Sequence, residues 1–159
     1  AVLWVCSLQA GGFYGVMPVE ARVELSVRCF DPGVRDLLRE RIEATVHGQA
    51  QSYGARAEID YQTGYRALVN TDREVDFAVE VARELLGPER VDPDFGLVTA
   101  GDDFSFMLQR RPGCYLRLGN GLFNEPCHPV HHPRYDFNDD NLRTGAAYWS
   151  LLVERYLVD

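Results

Sequence analysis

Lysine is absent from the 159-residue chain, so all 16 basic residues are arginine. Chemistry that needs a lysine amine, such as Schiff-base formation, is therefore excluded. No apolar run approaches the roughly 20 residues that span a bilayer, so we expect no membrane partner. The net charge of −8 without a basic patch argues against nucleic acid, because phosphate contacts supply much of that affinity. We expect a small-molecule partner instead.

Several motifs that carry chemistry in other proteins are also missing. The glycine pairs fit neither GxGxxG nor a phosphate-binding loop, and Ser105 lacks the GxSxG surroundings of a serine hydrolase. There is no CxxC pair, and a chain with an ordinary core needs no disulfides. We therefore expect a cytoplasmic protein whose four cysteines are reduced thiols. They are Cys6, Cys29, Cys114 and Cys127.

Alternating apolar and polar residues predict a small α+β lobe over residues 1–68. Residues 1–9, 20–28 and 55–61 have the period of strands, and the second strand is expected to be half-buried. Asp31 and Pro32 supply an N-cap and a first-turn proline for a helix that should end by Gly54. The apolar face of the second strand consists of Ala21, Val23, Leu25 and Val27.

The remaining residues, 69–159, predict a second lobe. Thr71 and Glu74 have the spacing of a capping box before a helix that Gly87 and Pro88 close. A short apolar run lies at 97–99, a strand is expected at 114–118, and helices are expected at 103–109 and from about 138 to 157. The inward face of the last helix is predicted to carry Leu142, Trp149, Leu152, Val153 and Tyr156.

Two segments offer groups for chemistry. Residues 124–140 concentrate imidazole and carboxylate side chains, which suit zinc and similar metals, although surface histidines and a helix cap explain the pattern equally well. A stand-alone metal site formed by Cys127, His128 and His131 remains an alternative. Asp102 and Asp103 form an acidic pair that either caps a helix or takes part in acid–base catalysis.

Four ordered motifs carry a family resemblance: GVMPVEARVELSVRCFD, AGDDFSFM, LRLGNG and VHHPRYDFNDD. Together they resemble the zinc-dependent aminoacylase and carboxypeptidase family, in its branch of hippurate hydrolase-like amidohydrolases of N-acyl amino acids. The resemblance implies a partial ferredoxin-like lid lobe at 1–68 that mediates homodimerisation. The C-terminal portion of a metallohydrolase α/β catalytic domain follows at 69–159. It further implies that most metal ligands and the glutamate general base lie in an upstream half.

The resemblance also assigns roles to individual residues. His131 matches a ligand of one of two zinc-type ions, and Arg28 matches a lid arginine that grips the substrate carboxylate, in the family from the partner subunit. Gly15 stands where the family has a substrate-contacting asparagine. The acids expected to support the site are Asp102, which replaces the usual glutamate, together with Asp103 and Asp136.

Two readings of the function therefore remain. One is the C-terminal portion of an amidohydrolase that cleaves N-acyl amino acids with metal-activated water, with this chain inactive by itself. The alternative is a catalytically inactive fragment or homologue that serves as a dimerisation or binding module, which the glycine at position 15 and the missing half favour.

Overall fold

The computed structural model describes residues 1–121 and 128–158 and has a mixed α/β fold. Two antiparallel strands come first and are followed by helices. In chain order the elements are β1 (Val2–Ala10), β2 (Ala21–Arg28), α1 (Pro32–Ser52), α2 (Asp72–Leu86), a 3₁₀ turn (Pro88–Arg90), α3 (Phe104–Leu108) and α4 (Asn141–Val158).

Strands β1 and β2 pair with one irregularity at Cys6. Val5 lies opposite Leu25, but Ser7 lies opposite Glu24, so β1 has one extra residue between these pairs. Such a bulge reverses the alternation of side chains in the strand that contains it. As a result the apolar residues of both strands share one face, namely Leu3, Val5, Leu8 and Ala10 with Ala21, Val23, Leu25 and Val27.

Helix α1 begins where the sequence predicts. The Asp31 side chain accepts a hydrogen bond of 2.9 Å from the Val34 N–H, and Pro32 occupies the first turn. This cap satisfies one of the N–H groups that a helix start leaves unpaired. The helix ends at Ser52, and Gly54 follows with φ of +67°, a conformation that glycine adopts at little cost.

The second part of the chain has its core between α2 and α4. Ala78, Val81 and Tyr148 are the buried apolar residues among those that the structure describes. The Tyr148 hydroxyl donates to the Ala78 carbonyl at 3.2 Å, and the Arg155 Nε donates to Glu84 at 3.1 Å. One buried aromatic and one peripheral ion pair thus join the two helices.

Several local predictions are wrong. Residues 55–61 and 114–118 are not strands in the described structure, because periodicity indicates a common face but does not supply a neighbouring strand. Thr71 does not form a capping box: its hydroxyl accepts from the Gly113 N–H at 3.2 Å instead. The faces predicted to be buried are also largely exposed, with Val23 exposed by 52% in β2 and Trp149 by 57% in α4. Tyr148 is the α4 side chain that packs inward.

The chain divides into two compact units. The first comprises Ala1–Leu68 and Leu97–Phe106, and the second comprises Val69–Gly96 and the residues from Met107 onward. The assignment of residues 1–68 to a lid and 69–159 to a catalytic domain stays a prediction. No helix in the described part of the chain combines the length and apolar composition needed to cross a membrane.

Candidate functional site

The Arg28 side chain, at the end of β2, lies against Gly101. A Cβ at position 101 would overlap the Arg28 Nη1 and approach the Tyr65 Cδ2 to 2.9 Å. Tyr65 also meets Phe106 edge to face, with ring centroids 5.9 Å apart. The absence of a side chain at Gly101 therefore leaves the space that the guanidinium occupies, beside an aromatic pair.

Asp102 caps the helix that follows it. Its Oδ1 accepts from the Phe104 N–H at 2.9 Å, and its carbonyl accepts from the Ser105 N–H at 3.2 Å. The Asp103 carbonyl accepts from the Phe106 N–H at 2.9 Å, while the Asp103 residue is exposed. The two acids thus have different surroundings, and the capping alternative describes the contacts of Asp102.

Gly15 lies in the exposed connection between β1 and β2. Its φ is +77°, and a Cβ there would have no heavy atom within 4 Å. Glycine adopts this conformation most readily, and asparagine is among the residues that tolerate it best. The backbone of this turn therefore suits both the glycine present here and the asparagine expected from the resemblance.

The backbone of His131 is strained. Among the non-glycine residues that the structure describes, His131 alone has a positive φ, of +71°. Such conformations cluster at functional sites. The residue is exposed, and no described residue hydrogen-bonds its ring. Both ring nitrogens are thus open to a ligand that the described residues do not supply.

The neighbouring histidines are engaged differently. The His132 ring stacks on His128, with centroids 4.1 Å apart and planes 8° from parallel. Its Nδ1 accepts from the Arg134 N–H at 3.1 Å, so this nitrogen is not available to a metal. The His132 N–H also donates to the Pro129 carbonyl, and the Tyr135 N–H donates to the His132 carbonyl. His131 therefore lies inside the first of two consecutive tight turns.

Two asparagines, Asn120 and Asn141, form a clamp of hydrogen bonds that holds the end of this loop. The sequence motifs do not predict this clamp. Asn120 Nδ2 donates to the Asp136 carbonyl at 2.9 Å, and its Oδ1 accepts from the Asn138 N–H at 2.8 Å. In return, Asn141 Nδ2 donates to the Gly119 carbonyl at 2.9 Å. We interpreted LRLGNG only as part of the family resemblance. Its asparagine, placed in a glycine-flanked turn ahead of the histidine loop, was the available signal.

The other predicted groups do not converge with His131 into a complete metal site. The described residues include no cluster of three or more histidine, cysteine or acidic side chains. Asp136 contributes its carbonyl to the clamp, but its carboxylate bonds to no described residue. Cys127, which the stand-alone alternative needs, lies outside the described residues. This part of the chain therefore offers His131 as a single candidate ligand.

A second asparagine, Asn70, organises the start of α2. Its Oδ1 accepts from the Tyr115 N–H at 2.8 Å, and its Nδ2 donates to the Tyr115 carbonyl at 3.0 Å. Burial raises the pKa of the adjacent Cys114 thiol, and the Glu74 carboxylate raises it further. Burial likewise raises the pKa of Tyr148. These groups are neutral near pH 7 and have the character of packing residues rather than reactive ones.

The predicted site residues belong to different units. Gly15, Arg28, Asp102 and Asp103 lie in the first unit, and His131 and Asp136 lie in the second. Within the first unit the structure brings Arg28 to the segment that contains Asp102. Within the second unit it connects the His131 loop to the clamp.

Comparison with known proteins gives one consistent result. The chain is 31% identical over 157 residues to a hippurate hydrolase of Campylobacter jejuni, a match that covers 99% of this chain. It is 27% identical over 153 residues to an N-acetylcysteine deacetylase of Bacillus subtilis, with 96% of this chain covered. A crystal structure of the Bacillus subtilis YxeP protein, described as a dinuclear metal-binding peptidase of family M20, superimposes with a TM-score of 0.72 at 26% identity and 95% coverage.

These matches also show how much of a relative the chain represents. It spans 40% of the hippurate hydrolase, 38% of the deacetylase and 40% of the YxeP chain. The profile of Peptidase family M20/M25/M40 matches residues 6–155, which is nearly the whole sequence. The mixed α/β fold, the motifs and the profile agree, and the chain belongs to Peptidase family M20/M25/M40.

Proposed function

We propose that the chain is the C-terminal portion of a metal-dependent amidohydrolase that cleaves the amide bond of N-acyl amino acids. The observation that carries this proposal is the environment of His131. Its imidazole is exposed, its backbone is strained, and no described residue occupies its ring. It also stands in the motif of a family of which one solved structure is described as a dinuclear metal-binding peptidase.

The donor chemistry at His131 fits a divalent metal. Neutral imidazole is a common ligand of zinc and of related ions, and the loop turns leave both nitrogens of His131 unengaged by described residues. The described residues form no cluster of three or more potential ligands. In this proposal His131 supplies one ligand, and the remaining ligands lie outside this chain. A bound divalent ion of this kind lowers the pKa of a coordinated water and polarises a carbonyl.

Arg28 is proposed to bind the substrate carboxylate. A guanidinium presents paired N–H donors that match the two oxygens of a carboxylate. Arg28 lies beside Gly101 and Tyr65, where the missing Cβ gives its Nη1 room. In this proposal the guanidinium orients the amino-acid end of an N-acyl amino acid by holding its carboxylate.

The acids have supporting roles in this proposal. Asp102 holds α3 through its cap, which fixes the segment next to Arg28. Asp103 and Asp136 are exposed, and their supporting role stays a prediction. The general base is assigned to a glutamate outside this chain. Zinc as the metal, a homodimer formed through a ferredoxin-like lid, and a cytoplasmic location stay predictions.

The test measures metal binding and hydrolysis with the complete gene product that contains this sequence. We expect His131→Ala to weaken the affinity for zinc at least tenfold. Replacing residues that only hydrogen-bond a metal ligand already weakens binding by about 10- to 100-fold. We also expect His131→Ala to abolish hydrolysis of hippurate. The matched control is His47→Ala, a histidine on the exposed side of α1. Zinc affinity and activity that are unchanged in His131→Ala would refute the proposal.

The same experiment addresses the alternative function. A gene product that binds zinc through His131 but hydrolyses no N-acyl amino acid would favour a binding module. Dimerisation is measured separately by analytical ultracentrifugation. We expect a dimer at micromolar concentrations, and a monomer would remove the homodimer from the proposal while leaving the metal site intact.

A further inference from the structure

The asparagine clamp connects two segments that are distant in sequence. The Asn120 side chain bonds the backbone of Asp136 and of Asn138, which lie 16 and 18 residues further along the chain. Asn141 returns the contact by donating to the Gly119 carbonyl. Three hydrogen bonds of 2.8–2.9 Å therefore tie the Gly119–Asn120 turn to the start of α4.

The amide is the side-chain group suited to this contact. It carries a donor and an acceptor in one plane, as a peptide group does, and so pairs with a backbone carbonyl and N–H together. Aspartate would keep the acceptor for the Asn138 N–H but lose the donor, and would place a carboxylate against the Asp136 carbonyl. Alanine would lose both bonds.

The clamp restrains the loop that carries His131. His131 lies inside the turn that the His132 N–H closes on the Pro129 carbonyl, and the Tyr135 N–H closes the next turn on the His132 carbonyl. The residue after this second turn is Asp136, whose carbonyl the clamp holds. Loops without such anchors adopt many conformations. The two turns thus connect His131 to the clamp, which provides the long-range restraint on the C-terminal side of the loop.

We propose that Asn120 is a positioning residue that orients His131 for metal binding. The inference rests on the proposed function, in which His131 is a ligand. Residues that hold a ligand in place commonly change metal affinity 10- to 100-fold when they are replaced. Asn120 acts by way of the backbone of residues 136–138, and it touches neither the metal nor the substrate.

The chain contains a matched control for this proposal. Asn70 makes the same two-bond contact with the backbone of Tyr115, also within the second unit. Asn70→Ala and Asn120→Ala therefore remove equal numbers of hydrogen bonds. If the role of Asn120 were only to stabilise the fold, the two variants would affect metal binding alike.

The experiment compares the complete gene product with its Asn120→Ala, Asn70→Ala and His131→Ala variants. Zinc affinity is measured by competition with a chromogenic chelator, and amide hydrogen exchange is followed at Asn138. We expect Asn120→Ala to weaken zinc binding about 10- to 100-fold and to accelerate exchange at Asn138. Asn70→Ala should leave both nearly unchanged.

Asn120→Asp provides a second variant should the alanine variant not fold. It should retain slow exchange at Asn138, where the acceptor remains, and still weaken zinc binding. Unchanged zinc affinity in the folded Asn120 variants, or an equal loss in Asn70→Ala, would overturn the positioning role. If His131→Ala itself leaves zinc affinity unchanged, the proposed function fails instead, so the two failures are distinguishable.

Discussion

Gly101→Ala tests whether the position of Arg28 governs recognition of the substrate carboxylate. A methyl group at this position would overlap the Arg28 Nη1 and lie 2.9 Å from the Tyr65 Cδ2, so the guanidinium has to move. The guanidinium is the end of a flexible side chain and moves at little cost, but the Tyr65 ring, which packs on Phe106, has to shift as well. We therefore expect a loss of stability of about 1–2 kcal/mol.

The expected functional loss follows from the bonds that we propose between the guanidinium and the substrate carboxylate. A hydrogen bond to a charged group contributes about 1.5–3 kcal/mol, and about 1.4 kcal/mol corresponds to a factor of ten. The KM for hippurate should therefore rise about 10- to 100-fold, with little change in kcat. Steady-state kinetics on the complete gene product measure this, with Gly48→Ala as control because a Cβ there meets nothing within 4 Å.

A double-mutant cycle makes the test sharper. If Gly101 acts by giving room to Arg28, then adding Gly101→Ala to Arg28→Ala should raise KM no further, since the two changes remove one interaction. Additive effects, or a KM that is unchanged in Gly101→Ala, would refute the reasoning. A hippurate amide, which lacks the carboxylate, should be insensitive to both substitutions.

Two further predictions concern stability. The pKa of the Cys114 thiol is raised in the folded chain by burial and by Glu74, so the unfolded chain loses this proton at lower pH. The contribution of this thiol to stability is therefore constant below about pH 8.5 and declines as the pH rises above it. In Cys114→Ala the urea midpoint should fall less steeply as the pH rises above this value. The same pH dependence in the variant and in the unchanged protein would contradict the assignment of the decline to Cys114. Gly145→Ala in α4 should raise the free energy of unfolding by about 0.5–1 kcal/mol, because its Cβ would meet only the Leu118 Cδ2, at 3.8 Å. A lower urea midpoint in this variant would show that the added methyl group is not accommodated.

Local signals in the sequence predicted the start of α1 but not the absence of strands at 55–61 and 114–118. The Asp31–Pro32 start of α1 depends on residues within one turn, and the observed cap is the one predicted. The Thr71–Glu74 capping box failed because the Thr71 hydroxyl bonds to Gly113, 42 positions away. A motif four residues long contains no information about such a competitor.

Long-range pairing was the main limit on predicting the site. Residues 114–118 alternate like a strand, but the partner of the Tyr115 backbone is the side chain of Asn70. The contacts of Asn120 were missed for the same reason, because an asparagine in a glycine-rich turn has many possible partners. The sequence motifs placed His131 in a recognisable loop, whereas its backbone strain and its restraints required the structure.

The bulge at Cys6 has a consequence for how this family can vary in length. Because the extra residue lies between the Val5–Leu25 and Ser7–Glu24 pairs, a strand without it would alternate regularly and still present Leu3, Val5, Leu8 and Ala10 on one side. Deletion of the bulged residue Cys6 is therefore neutral with respect to the faces of the hairpin. A one-residue deletion two pairs further along would exchange the apolar and polar sides of the remaining strand.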